Sequence, residues 1–344
     1  MFPRLNLLLL LWVSVAASAG ADTAHFTLGP RATAMGGAFT AVADDTTAFY
    51  WNPACVARGP AVRVGGFWGG SFEDRNGLIE NLGSQSQGEN SSLAGDRAWG
   101  FATGITVLGV AVSRFSYTSS ILDDAKIYSR GLKTWDVAVT FVQSLPPDDL
   151  IVGVNVRYIN GTAFSDSVPA SDFQESERNV KDVVDRATSG QGRTESQPGV
   201  DVGVVYQPNE WLRLGFTARN LNRPTFHAEG GESLSLERHA RIGGAFFFAR
   251  DFLVAIDVDL TSREYPFSGE SWRETAVGIE KSWARQVVTL RGGLRSEIGE
   301  LGWARPGLSG GVGIRFMGVS VDISAMTSTE KRLGALWIGV SYKR

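Results

Sequence analysis

The residue types that most often perform catalysis or bind metals are sparse in this sequence. It contains three histidines, His25, His227 and His239, and one cysteine, Cys55. The histidines are not spaced as metal ligands, and the sequence has neither a Gly-x-Ser-x-Gly nucleophile elbow nor a Walker phosphate loop. A single cysteine also excludes a disulfide scaffold and a multi-cysteine metal site. We therefore expect no enzyme, no cofactor and no metal.

Charged side chains are the other candidates for chemistry, because they recur at alternate positions within apolar stretches. One interpretation is a track for a solute or for a carboxylate headgroup. The alternative is that the charges pair with one another and with an N-terminal segment, and mixed signs favour it because opposite charges neutralise each other. The candidates for lining an interior are Arg157, Arg213, Arg219, Asp257, Asp259, Arg291 and Arg315. Asp201, Glu280, Arg295 and Asp322 share their pattern.

The apolar stretches have a period of two residues, which is typical of strands with two different faces. Val202 and Val204 lie on one face of such a strand, with Asp201 and Gly203 on the other. We predict about fourteen strands, each close to the roughly ten residues that a tilted membrane strand needs. They lie near 61–69, 97–104, 107–117, 132–144, 150–160, 198–208, 211–221, 238–249, 251–261, 272–284, 286–296, 307–316, 317–325 and 334–343.

The predicted connections alternate strictly between short turns and long polar stretches. A bacterial outer-membrane barrel explains this, because periplasmic turns are short, extracellular loops are long, and an even strand count returns both chain ends to the periplasm. A secreted β-sandwich is the alternative, but it has little reason to alternate. We therefore predict an all-β fold, a transmembrane antiparallel β-barrel of about 14 strands spanning 61–344. The long stretches are 70–96, 118–131, 161–197, 222–237, 262–271, 297–306 and 326–333.

Composition agrees with a membrane barrel. Glycine supplies 41 of the 344 residues, well above the usual level of about 7%, and small residues suit kinked, coiled strands. The net charge of −3 gives no basic excess for holding nucleic acid, so we expect no such partner.

Residues 1–21 have the features of a secretory signal peptide. Arg4 supplies the positive start, the run from Leu5 to Val15 is mostly apolar, and Ala17-Ser18-Ala19 or Ala19-Gly20-Ala21 offers a cleavage site. An apolar run of about ten residues is too short for a transmembrane anchor. The mature chain is therefore predicted to be exported to a Gram-negative type of outer membrane.

A segment of different texture, residues 22–60, precedes the first strand. Gly36-Gly37 allows a close backbone turn, Asp44-Asp45-Thr46 predicts the start of a helix, and Asn52-Pro53 marks the end. A barrel of about fourteen strands is too wide for its own side chains to fill. This segment therefore suits a folded element inside the lumen.

The motif from Ala34-Met35-Gly36-Gly37-Ala38 through Ala43-Asp44-Asp45 to Tyr50-Trp51-Asn52-Pro53-Ala54 resembles the N-terminal region of PorV/PorQ family outer-membrane proteins. These are similar to the wider FadL-like superfamily of long-chain fatty-acid transporters. The resemblance implies a fourteen-stranded barrel whose N-terminal segment is a hatch in the lumen. The implied hatch and gating residues are Gly36, Gly37, Asp44, Asp45, Asn52 and Pro53.

Two functions follow from this resemblance. In the first, the hatch shifts and a hydrophobic ligand such as a fatty acid passes through a lateral gap into outer-membrane lipid. In the second, the barrel is a non-transporting partner or shuttle in type IX protein secretion, and loop 161–197 is a docking surface. An apolar pocket that reaches a break in the wall would favour transport. A sealed lumen with exposed apolar loops would favour the partner role.

Overall fold

The structure is a computed structural model. It describes residues 21–22, 27–59, 61–75, 77–78, 91–123, 126–146, 149–169, 192–249, 251–264, 271–284, 286–299, 302–328 and 333–343. The predicted signal peptide lies outside the described residues except for Ala21. The centre of the proposed docking loop, 170–191, also lies outside them.

The main element is a closed sheet of fourteen antiparallel strands. Successive strands pair along the chain, and the last pairs with the first, which closes the barrel. The predicted all-β barrel of about fourteen strands is therefore confirmed. The strands are β1 (Val62–Arg75), β2 (Ser91–Ile105), β3 (Leu108–Asp123), β4 (Lys126–Leu145), β5 (Leu150–Pro169), β6 (Arg193–Asn209), β7 (Leu212–Arg219), β8 (His239–Ala249), β9 (Phe252–Asp259), β10 (Ser271–Trp283), β11 (Val288–Gly299), β12 (Gly302–Phe316), β13 (Val319–Ser328) and β14 (Leu333–Lys343).

Several strands are longer than predicted. β3 ends at Asp123 and β4 begins at Lys126, so the long loop predicted at 118–131 is wrong. The strict alternation of short and long connections fails there, and again between β11 and β12, for the same reason. These strand ends carry polar residues on both faces, so the period-two hydrophobic signal disappears although the strand continues.

The two faces of the barrel wall differ as the alternation predicted. On β5, Val156 is 46% exposed and points outward, whereas its neighbour Arg157 is 6% exposed and points inward. Outward apolar side chains such as Phe101 and Ile279 continue this surface around the barrel. A continuous apolar outer belt is suited to lipid, because a water-soluble protein rarely exposes so large an apolar patch.

The barrel has a short-turn end and a long-connection end. At the long-connection end, two short strands, Thr225–His227 and Ser233–Ser235, form a small sheet with Ala21–Asp22. The prediction that both chain ends lie at the short-turn end is therefore wrong for the N-terminal side. It took account of the strand count alone, whereas the chain preceding β1 runs through the barrel.

Residues 27–59, here named the inner segment, contain three short helices. They are α1 (Pro30–Ala34), α2 (Ala48–Trp51) and a 3-10 helix (Pro53–Arg58). Across the described residues, no helix has both the length and the apolar character needed to cross a membrane.

The turn after α1 depends on two glycines. Gly36 and Gly37 have φ values of 67° and 92°, a region that side chains with a Cβ disfavour. Their amides bond to the carbonyls of Thr33 and Ala32 and end the helix. The predicted helix start at Asp44-Asp45-Thr46 needs correction, because α2 begins at Ala48 and Asp45 instead accepts bonds from Thr47 N and Oγ1.

Candidate functional site

The inner segment contacts the inward face of strands on opposite sides of the barrel. A Cβ atom added at Gly293 of β11 would overlap the backbone of Met35 and Gly36. Across the barrel, a Cβ at Gly153 of β5 would overlap the backbone around Ala54. The wall glycines therefore allow the inner segment to lie against both walls, which places it inside the barrel.

Asn52 joins two parts of the inner segment to the wall. Its fully buried amide donates to the Thr40 carbonyl at 2.9 Å and to the Val204 carbonyl at 3.1 Å. Its Oδ1 accepts from the Ala54 amide at 3.1 Å, which caps the 3-10 helix that Pro53 begins. Asn52 thus satisfies three buried backbone groups with one side chain.

A buried charge cluster surrounds Arg241 of β8, which is fully buried. Its guanidinium contacts Asp257 at 3.1 Å, Asp259 at 2.8 Å and Glu274 at 3.0 Å. It also donates to the Gly37 carbonyl at 3.1 Å. One cation therefore joins three carboxylates of β9 and β10 to the glycine turn of the inner segment.

Asp257 holds the same turn from a second direction. Its Oδ2 accepts hydrogen bonds from the amides of Phe39 at 2.9 Å and Thr40 at 2.8 Å. Buried backbone amides need such acceptors, and a charged acceptor makes a stronger hydrogen bond than a neutral one. Together, Asp257 and Arg241 satisfy one carbonyl and two amides of the inner segment.

The neighbouring Asp259 belongs wholly to the wall. It accepts from His239 Nε2 at 2.9 Å and from Arg263 at 2.6 Å. Among the described residues, no group of histidine, cysteine or carboxylate side chains is arranged to hold a metal ion. His239 therefore serves an ion-pair network here.

A second cluster lies across the barrel, around Arg157 of β5. Arg157 pairs with Asp136 at 3.1 Å and with Asp201 at 3.0 Å. Asn155 donates to Asp201 at 2.9 Å and to the Phe49 carbonyl of the inner segment at 3.3 Å. This cluster thus mirrors the arrangement at Arg241, with Asn155 as the direct contact.

A third cluster lies near the short-turn end. Arg31 of the inner segment pairs with Glu280 at 2.6 Å and also with Asp44. Glu280 is shared with Arg291, which pairs onward with Asp322, both at 2.6 Å. Here the carboxylates of β10 and β13 neutralise one arginine from the wall and one from the inner segment.

Three further candidate arginines have distinct surroundings. Arg213 donates to the Ala41 carbonyl at 3.3 Å, and the Arg219 guanidinium lies 3.5 Å from the centre of the Tyr50 ring. Arg315 bonds to Ser320 and Gln286 near the short turns. The first two therefore touch the inner segment, whereas the bonds of Arg315 run to the wall and a turn.

The charged candidates thus have partners, and a role in guiding a solute stays a prediction. The sequence prediction missed Arg241, Glu274, Asp136 and Asn155. The alternation contained their signal. Arg241 lies two residues before Gly243 on the inward face of a recognised strand, and Glu274 lies two residues before Ala276.

Aromatic side chains fill much of the boundary between the inner segment and the wall. Tyr50 lies 5.9 Å from Phe115 between ring centres, and Phe49 stacks on Phe67 at 6.5 Å. Phe67 in turn contacts Trp337 at 6.3 Å. Aromatic contacts therefore join the inner segment to β1 and β3, and through Phe67 to β14.

A cavity of about 500 Å³ opens below the inner segment at the short-turn end. Both signs of charge line it, from Arg31, Asp44 and Arg58 of the inner segment to Arg315 and Lys343 of the wall. Within the described residues, the strands between this mouth and the inner segment form one hydrogen-bonded wall.

A family model described as "F plasmid transfer operon, TraF, protein" matches residues 78–259, which is more than half of the chain. The chain belongs to this TraF family. No curated protein matches this TraF-family chain.

Solved structures of low sequence identity share the fold of the TraF-family chain. The Ralstonia pickettii toluene transporter TbuX has a TM-score of 0.60 at 14% identity, covering 92% of this chain and 98% of that one. A Pseudomonas aeruginosa FadL homologue has a TM-score of 0.62 at 11% identity, covering 94% and 100%. The P. putida toluene transporter TodX has a TM-score of 0.60 at 12% identity, covering 92% and 98%. The TraF-family chain therefore shares the barrel fold of these proteins.

Cys55 gives this TraF-family chain a built-in reporter of the inner segment. It is the single cysteine of the chain and is fully buried, with its thiol 3.6 Å from the Thr40 carbonyl. Because maleimide reacts with the thiolate and burial disfavours that form, we expect no labelling of the folded protein and complete labelling in denaturant. Mass spectrometry after a timed maleimide pulse measures this. Rapid labelling of the folded wild type would contradict the described packing.

Proposed function

We propose that this chain moves hydrophobic small molecules across the outer membrane of a Gram-negative type of cell. The observation that carries the proposal is the apolar, aromatic boundary between the inner segment and the wall. A path opened along that boundary would expose Phe67, Phe115 and Trp337 to a solute. Such a lining suits an apolar compound better than an ion or a sugar. The toluene transporters TbuX and TodX, which share the fold, support it.

In this proposal the inner segment is the hatch, and transport requires its displacement. Gly36 and Gly37 form the turn held by Arg241, while Asn52 and Pro53 form the contact with β5 and β6. Asp44 and Asp45 lie at the short-turn mouth, where ligand would leave. These six residues are the proposed gating set.

The proposal predicts uptake that depends on how firmly the hatch is held. Asn52→Ala removes three buried hydrogen bonds, each worth about 1 kcal/mol net. We expect vesicles with wild-type protein to take up a labelled fatty acid faster than empty vesicles, and the variant to take it up several-fold faster still. Fluorescence of an enclosed fatty-acid sensor measures the rate.

The matched control is Asn160→Ala, which changes a partly exposed asparagine on β5 that bonds to Ser196 of β6 at 3.0 Å. It should leave the rate unchanged. Wild-type rates equal to those of empty vesicles would eliminate transport of this substrate class.

A second candidate function is favoured by the closed interior. The described strands form one hydrogen-bonded wall, and the inner segment lies within it. A barrel that stays closed would instead serve as a partner in envelope secretion, as the resemblance to PorV in type IX systems implies. Affinity capture of the full chain from envelope extracts tests this, and recovery without any secretion component would count against it.

A further inference from the structure

The outer surface of the wall carries a row of tryptophans. The strand register places Trp68, Trp99, Arg114 and Trp135 side by side in one outward row across β1 to β4. The rings of Trp99 and Trp135 lie 5.4 Å apart and meet edge to face. Tryptophan rows of this kind mark the boundary between hydrocarbon and headgroups.

The rows on either side of the tryptophans indicate which side faces hydrocarbon and which faces the headgroups. The outward row nearer the short turns is apolar and contains Phe101, Val112 and Val137. The row nearer the long-connection end contains Arg97, Ser116, Lys133 and Thr162. The tryptophans therefore lie between a hydrocarbon-facing surface and a polar, cationic one.

Three cations gather at this boundary. Arg97 and Lys133 lie in the same row two strands apart, so about 10 Å separates their backbones. Arg114 lies on the strand between them, about 7 Å nearer the short-turn end. Arg97 and Arg114 are exposed. The Lys133 ammonium lies 5.5 Å from the centre of the Phe164 ring. From β14 to β6, the described residues of these two outward rows include no acidic side chain.

A hollow of about 740 Å³ adjoins the three cations. Gly70, Gly95 and Gly334 lack side chains at this part of the wall, and Trp68, Phe72, Trp99 and Leu336 form apolar sides. Asp96 and Ser71 line the hollow from the inner face and are bonded to each other. Among the described residues, the outward carboxylates Asp74 and Asp166 each lie two rows nearer the long-connection end, and Asp74 accepts from the Leu78 amide.

We propose that this surface binds a phosphate-bearing lipid of the outer leaflet. Its acyl chains would lie against the apolar row of Phe101, Val112 and Val137, and its phosphates would pair with Arg97, Arg114 and Lys133 beside the hollow. Arginine forms strong bidentate bonds to phosphate, and basic side chains at a lipid surface attract anionic headgroups. The three cations lie on the outer face of the wall, and the site does not depend on the proposed transport function.

Native mass spectrometry of the full chain in nonionic detergent tests the site, with diphosphorylated lipid A as the probe. Replacing Arg97, Arg114 and Lys133 together by Gln should weaken binding by about a hundredfold, since each basic side chain contributes about fivefold. The matched control is Arg273→Gln, an exposed outward cation on β10 at the far side of the barrel. It should change the affinity less than about twofold.

Lipid A stripped of its phosphates should bind the wild type as weakly as the intact lipid binds the triple variant. Equal binding of the triple variant and the wild type would overturn the proposal. Displacement of lipid A by excess inorganic phosphate would also overturn it, by identifying a simple anion site. Heat-modifiable gel mobility verifies folding, and the three single variants serve if the triple variant fails to fold.

Discussion

Gly293→Val is expected to open the barrel, whereas Gly292→Val, one residue away, is expected to leave it closed. A Cβ at Gly293 would overlap the backbone of Met35 and Gly36, so the inner segment cannot keep its place. A Cβ at Gly292 points outward and meets only Ile279, at an ordinary distance of 3.7 Å. Both substitutions place valine in a strand, where its backbone preference is favourable.

Two measurements check this pair. Cys55 should become accessible to maleimide in the Gly293→Val protein and stay protected in the Gly292→Val protein. Fatty-acid uptake by vesicles should rise on the order of tenfold for the first variant, if displacing the inner segment removes a barrier of about 1.4 kcal/mol. If Cys55 stays protected in a folded Gly293→Val barrel, the inner segment tolerates the valine side chain, and the expectation is refuted.

Arg241→Ala is expected to lower the free energy of unfolding by about 3–5 kcal/mol, because the buried carboxylates around it would lose the cation that neutralises them. Asp257, Asp259 and Glu274 all contact the Arg241 guanidinium, and Asp257 also bonds to the inner segment. Arg241→Lys keeps the charge but cannot reproduce the fork of donors, so an intermediate loss is expected. Thermal unfolding followed by heat-modifiable gel mobility measures all three proteins.

The matched control is Arg315→Ala. Arg315 bonds to Ser320 and Gln286 near the short turns, in contacts that lack a carboxylate. Arg315→Ala should lower the free energy of unfolding by about 1 kcal/mol. If Arg241→Ala also lowers the free energy of unfolding by only about 1 kcal/mol, the buried carboxylates find other partners. The cluster then does not hold the inner segment in place.

The strands could be predicted because the two faces of this wall meet different surroundings. Ile256 points outward and Asp257 inward on the same strand, and such alternation persists throughout the membrane-facing part. Beyond that part the signal fails. Thr118, Ser119 and Ser120 continue β3 with polar residues on both faces, which from the sequence looks like a loop.

The interior was only partly accessible to sequence reasoning. The Gly36-Gly37 turn could be predicted, because it reflects a local backbone requirement. Its partners could not, since the bond from Thr40 to Asp257 joins residues 217 positions apart. Register and barrel closure decide which inward charge meets which backbone group, and neither is encoded in a local pattern.

The course of the inner segment also constrains the order of assembly. Ala21–Asp22 lies at the long-connection end, whereas β1 begins at the opposite end. Pairing of β1 with β14 closes the ring around the inner segment, so we expect this segment to be in place before that pairing is complete. Threading a free end afterwards through a lumen crowded with side chains would be sterically far harder.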